Sequence, residues 1–483
     1  MSMINSARVG LDNGMGYEWV KALNVPLSLM IYYYYSYYSK YFGPRLTLRM
    51  SYVLIGGSLV SMYILLVIFP DFVDTLLSRV LNILFYVFRE TYCSLHGSYM
   101  WVFIQDFYFY ANHRKDPNGS EKGGVDREKS GMVVLVGGLC ALASVTGSVI
   151  LYFHEGDIHF LLVMSIACSA ASWGFMEFAF YVMREPVAIA ERKRIMELKR
   201  SACRGEEPSL FDKNKKLCAD CWRLATTNGL LRMLFLEAVM HQFSSNIVNQ
   251  VFNDALRTGI DQDNDRAYVS GNMFMVVNIA ASCLQIMVMP SILTTETMPY
   301  LLLSPPVVTL LTSSGTGVLL SMWRSQQRHH TGGAPRSQDD AACSMLTRWR
   351  GGCQELASMG THSRSGLAIM SREQLLSLVV PVTPLAALKV FEYAVKTSAI
   401  EMIFMPMSNE IRYLGRELVR FFGQKVGKWL SQQALSVTVT FVSFYTHTEV
   451  DSIALLFICA VACAMWIYVT MHLSRHLIKA KLS

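Results

Sequence analysis

Long apolar runs separated by short polar stretches organise this chain. A helix needs about 20 mostly apolar residues to cross a bilayer. Eleven runs are long enough: 25–43, 51–69, 81–111, 131–153, 158–184, 229–258, 267–290, 299–323, 374–406, 429–447 and 452–473. Residues 1–24 are polar to amphipathic and carry no span, 185–228 are rich in Lys and Arg, and 474–483 form a basic tail. The stretch 324–372 reads as a flexible insertion. The pattern predicts an all-α polytopic membrane protein, with an N-terminal helix bundle over 25–184 and a basic linker over 185–228. A C-terminal bundle follows over 229–473 and contains the insertion.

Composition agrees with the pattern. Hydrophobic residues make up 52% of the 483 positions and charged ones 16%, with mean hydropathy +0.30, outside the usual range of soluble domains. The formal charge of +7 follows from basic loops held on the cytoplasmic side, so no nucleic-acid partner is implied. With the linker inside, alternation puts the basic segments 40–49 and 112–130, the group Arg412, Arg416, Arg420 and Lys425, and the tail inside as well. The acidic turn at Asp261, Asp263 and Asp265 falls outside. One loop disagrees: 324–372 carries Arg324, Arg328, Arg336, Arg348, Arg350 and Arg364 yet falls outside, either because long loops obey the rule less strictly or because a span near Pro305-Pro306 is miscounted.

The eleven cysteines are mostly single, and several lie in membrane runs, which is packing usage. Cys218 and Cys221 have a CxxC spacing but lack the second ligand pair of a zinc site. No nucleophile–base pair or metal-ligand array stands out, so the sequence points to neither an enzyme nor a cofactor. The N-terminus has neither a secretory signal nor an Arg- and Ser-rich transit peptide; targeting is internal, or the start is incomplete.

Polar side chains inside the runs carry the candidate chemistry, because charge at that depth is costly and usually functional or paired. In 81–111, Arg89 and Glu90 are adjacent; side chains about 100° apart on a helix do not fully neutralise each other. In 229–258, Gln242, Asn246, Asn249 or Gln250, Asn253 and Arg257 recur at spacings of three and four and share one face. That face lines a cavity or a helix interface. Lys389, Glu392, Lys396 and Glu401 lie in 374–406, and Arg232 near the start of 229–258. The tyrosines between Tyr32 and Tyr41 read as an interfacial aromatic belt, with an adenine-stacking surface as the alternative. Gly423 to Lys428 is one residue short of a phosphate loop and lacks its Ser or Thr; it reads as a loop entering the next helix.

The stretch 389–433, KVFEYAVKTSAIEMIFMPMSNEIRYLGRELVRFFGQKVGKWLSQQ, resembles a late membrane helix of the ATP/ADP antiporter family, the organellar and bacterial nucleotide transporters. Tyr393, Glu401, Phe404, Pro406, Gly415, Arg416, Gly427 and Lys428 match in register, followed by Gln432 and Gln433. Lys389 stands where the family also has a Lys. Asn246, Val248, Leu256 and Arg257 match a second family segment, and Glu90 and Ser94 a third. Charges are lost at Glu392 (for Lys), Thr397 (for Asp), Ile400 (for Lys), Asn249 (for Glu) and Asn253 (for Lys). Residues 1–24 resemble the link after the family's first helix, whose absence would leave eleven spans in place of twelve.

The resemblance implies a major-facilitator-like two-bundle fold that exchanges ATP for ADP by alternating access. The implied substrate site draws on Lys389, Tyr393, Lys396, Glu401, Asn246, Asn249, Asn253, Arg257, Arg232, Arg89 and Glu90. Implied partners are ATP, ADP and a lipid bilayer, in an organellar inner membrane or a bacterial one. The erased charges support a rival: a non-transporting descendant kept as a subunit of a larger organellar complex. A third reading is a proton-coupled carrier of another solute that uses Glu90 or Glu177.

Overall fold

The computed structural model describes residues 46–65, 158–182, 226–260, 263–294, 296–330, 372–404, 415–446 and 452–482, with scattered single positions elsewhere. Among the described residues the chain is nearly all helical and has no strand. Helix α1 covers Leu46–Leu65, α2 Ile158–Val182, α3 Gly229–Gly259, and α4 Asp263–Cys283. A π-helical turn, Leu284–Val288, leads from α4 into the short α5 (Met289–Ile292), and α6 is Met298–His330. Then come α7 (Arg372–Phe391), a π turn at Glu392–Lys396, α8 (Thr397–Phe404), a π stretch at Glu417–Gly423, α9 (Gln424–Thr446) and α10 (Ser452–Leu482).

Among the described residues, four helical segments are long and apolar enough to cross a membrane: Leu46–Leu65, Tyr268–Ile292, Met298–Met322 and Ile453–Ile478. On α10, Phe457, Val461, Met465 and Tyr468 are exposed while Leu456, Cys459, Cys463 and Trp466 on the other side are buried. A helix apolar all round suits a lipid-facing position.

In the N-terminal pair, Leu48 and Tyr52 of α1 pack on Met176 and Phe180 of α2. Both oxygens of Glu177 accept from the Arg49 guanidinium, and Trp173 also donates to that carboxylate at 3.3 Å. Glu177, read in the sequence as a candidate for proton coupling, is therefore half of an ion pair.

The C-terminal bundle is built around α3. Asn228 caps its start by accepting from the backbone N–H groups of Leu230 and Leu231, both at 3.1 Å, as short polar residues do at helix N-termini. Helices α7, α9 and α10 all pack against it, and α6 packs against α7 and α10. Apolar clusters fill the space between: Leu231, Leu234, Phe404 and Leu473 in one, Ile247, Leu388, Leu456 and Trp466 in the other.

Among the described residues, Pro305, Pro306, Pro381 and Pro384 lie inside helices, and each removes a backbone donor. In α6 the prolines are Pro305 and Pro306, yet the helix runs unbroken from Met298 to His330. The described helix is thus one continuous element through Pro305-Pro306. The carbonyl of Leu301, which loses its i+4 partner to Pro305, accepts instead from the Ser304 hydroxyl at 2.8 Å. In α7, Pro384 frees the Val380 carbonyl, and the Thr316 hydroxyl of α6 donates to it at 3.3 Å. The Pro305 gap is closed within its helix and the Pro384 gap by a neighbour, which ties α6 to α7.

The sequence put Arg412, Arg416, Arg420 and Lys425 on an inside segment and read Gly423 to Lys428 as a loop entering the next helix; residues 415–428 are helical. Gly427 lets α9 approach α3: a Cβ there would lie 2.5 Å from the Val239 carbonyl oxygen and 2.9 Å from Gln242 Cβ. One turn earlier, a Cβ on Gly423 would meet Ala238 Cβ at 3.0 Å. These glycines admit the backbone of α3, the role small residues serve where membrane helices cross.

Candidate functional site

Two faces of α3 do different work. At 100° per residue, Val239, Gln242 and Asn246 share one side, and Glu237, His241 and Ser245 share the opposite one. The first side meets α9, where the Asn246 amide donates to the Ser431 hydroxyl at 2.7 Å. The second side meets α7, its π turn and α10, and holds the buried charges.

Lys396 and Glu237 form an ion pair at 2.9 Å, with side chains 7% and 1% exposed. The Trp466 indole N–H donates to the same Glu237 oxygen at 3.0 Å, and the Lys396 ammonium lies 5.3 Å from the centre of the Trp466 ring. About two turns along α3, Lys389 pairs with Glu392 at 2.7 Å and reaches the Ser245 hydroxyl at 3.3 Å. Lys389 also sits 5.8 Å from the Tyr393 ring centre. His241 lies between the two pairs: its Nε2 is 3.6 Å from Glu392 Oε1, and its ring meets Trp466 edge-on, with centroids 5.0 Å apart.

The order along the helices explains the pairing. Ser245 and Glu237 are eight residues apart, or about 12 Å along a helix axis; Lys389 and Lys396 are seven apart and run the opposite way. Antiparallel packing puts one lysine at each end of the row. The π turn Glu392–Lys396 widens the helix between them, and such turns recur at functional sites. Thr397 donates its hydroxyl to the Glu392 carbonyl at 2.9 Å across this turn. The π turn Leu284–Val288 lies against this one, and its Gln285 donates to the Ser398 hydroxyl at 3.2 Å just beyond Lys396.

No protein-family model matches the chain, and no curated protein matches it.

Of the residues the sequence put in one substrate site, the structure brings together Lys389, Tyr393 and Lys396. Asn246 faces α9 instead. The Asn249 amide turns back to the Ser245 carbonyl at 2.7 Å, and Asn253 is half-buried in the same helix. Arg232 is exposed. Arg257 lies in α3 but its side chain falls outside the described residues, as do Arg89 and Glu90 altogether.

Glu401 belongs to a separate cluster. It is fully buried and accepts from the Arg416 guanidinium at 2.8 Å; Arg420 pairs with its other oxygen. Arg416 also lies 5.6 Å from the Phe404 ring centre and is only 1% exposed. The sequence assigned both arginines to an inside loop; they are bound to an interior carboxylate. Sequence reading missed Glu237, His241, Ser245 and Trp466. The first three recur at a spacing of four, a signal overshadowed by the longer Asn and Gln row on the other side of the helix.

Proposed function

We propose that this chain is a membrane carrier of the ATP/ADP antiporter type, in which Lys389 and Lys396 receive nucleotide phosphates and exchange proceeds by alternating access. The full arrangement in this reading is a two-bundle, major-facilitator-like fold of about eleven spans. The observation that carries it is the lysine pair itself: two ammoniums on one helix face inside the C-terminal bundle, each against an aromatic ring and each held by a carboxylate. An anion site in a low dielectric must neutralise its cations while empty, since an uncompensated buried charge is strongly destabilising. Glu237 and Glu392 fill that role, and a polyphosphate takes their place on loading.

Charge balance also favours a second reading. Two carboxylates match two ammoniums, and a bundle of that kind is stable with no substrate at all. It would serve as a non-transporting membrane subunit of a larger assembly. Uptake of labelled ATP by proteoliposomes loaded with ADP separates the two. Saturable counter-exchange that disappears in Lys389→Ala supports the carrier. No uptake, together with co-purification of many partner subunits from the native membrane, supports the subunit.

A further inference from the structure

We infer that His241 is a proton-binding site, and that its occupancy raises the affinity of the Lys389–Lys396 site for a polyanion. The anion half rests on the carrier reading above; the proton half does not.

His241 is 2% exposed, and its Nε2 makes no hydrogen bond. A buried polar atom without a partner costs about 1–3 kcal/mol, so its retention calls for a reason. The nearest acceptor is Glu392 Oε1 at 3.6 Å. The other oxygen of that carboxylate, Oε2, already receives Lys389, so Oε1 faces the imidazole. A proton added at Nε2 gives an imidazolium whose N–H donates to Oε1; no other bond is made or broken.

The surroundings fix the consequence. The α7 side presents Lys389, Glu392 and Lys396 to His241, and α10 presents the Trp466 ring. Glu237 lies one turn earlier on α3 itself, while α9 lies against the opposite side of α3, at Val239, Gln242 and Asn246. With a neutral imidazole the cluster holds two negative and two positive charges. Protonation leaves it with one net positive charge in a buried setting, which an anionic ligand offsets. Proton and anion therefore bind cooperatively, and each raises the other's affinity by the same factor.

Trp466 reports on the proton, because an imidazolium against an indole quenches its fluorescence. The test uses the full chain in detergent, keeping Trp466 alone of its eight tryptophans. Emission is expected to fall along a one-proton curve as pH drops, and to stay flat in His241→Gln. A flat curve with His241 present overturns the proton site. In parallel, ATP binding to the otherwise unaltered chain is expected to tighten up to tenfold per pH unit across the same range, and to lose that dependence in His241→Gln. A titrating Trp466 with pH-independent ATP affinity overturns the coupling. Should ATP fail to bind at any pH, the carrier reading and the coupling fall together, and the fluorescence curve still decides the proton site.

Discussion

Lys396 and Glu237 face each other at 2.9 Å across the α3 interface, both almost wholly buried. Neither charge is tolerable there alone. The Trp466 indole N–H donates to the same Glu237 oxygen, so three helical segments meet at one oxygen.

Removing one member of this pair leaves its partner buried and uncompensated, at a cost of about 3–5 kcal/mol. Lys396→Met and Glu237→Gln should each lower stability by that order. The double variant should recover most of the loss, since Gln still accepts from Trp466. Unfolding of the four proteins in detergent measures the coupling, and additive losses would contradict direct pairing.

The Glu401 cluster makes a different prediction, because two guanidiniums share one carboxylate. Glu401→Gln should be more damaging than Arg420→Gln, which leaves the Arg416–Glu401 bond intact. Thermal unfolding of the two variants decides it. Equal losses would mean that the Arg416–Glu401 bond adds nothing beyond the Arg420 one.

Gly427→Ala should cost about 1–3 kcal/mol, the range for overpacking, because the new methyl would lie 2.5 Å from the Val239 carbonyl oxygen. Gly315→Ala is the control. It meets nothing within 4 Å and should be neutral or slightly stabilising.

Ser304→Ala and Thr316→Ala each remove the hydroxyl that serves a carbonyl stripped by proline. Each should cost about 0.5–1.5 kcal/mol. Only Thr316→Ala should also loosen α6 from α7, read as faster hydrogen exchange along α7.

Much of the helical outline was legible in the sequence because apolar run length translates directly into helix length. Runs 158–184, 229–258, 267–290, 299–323 and 452–473 correspond to α2, α3, α4 with α5, α6 and α10. Runs 25–43, 81–111 and 131–153 lie largely outside the described residues. The lysine-bearing segment was legible as well, because charge within an apolar run is conspicuous. The partners were not. Both polar rows of α3 have helical spacing, and periodicity alone does not say which one faces a lysine; that depends on the antiparallel setting of α7. The π turn at Glu392–Lys396 carries no composition signal, although it governs how Glu392 and Lys396 are presented. The arginines at 416 and 420 looked like a loop because basic clusters usually are one; burial against Glu401 becomes visible only in three dimensions.

In the carrier proposed above, Lys389 and its neighbours hold nucleotide phosphates. The most direct test is labelled-ATP uptake into ADP-loaded proteoliposomes by the charge-balanced double variant Lys389→Met/Glu392→Gln, which removes one ammonium and one carboxylate together and so spares the fold. Wild-type protein should exchange ATP saturably while the double variant, inserted to the same level, should not. Equal exchange by the two, or none by the wild type, would contradict the claim.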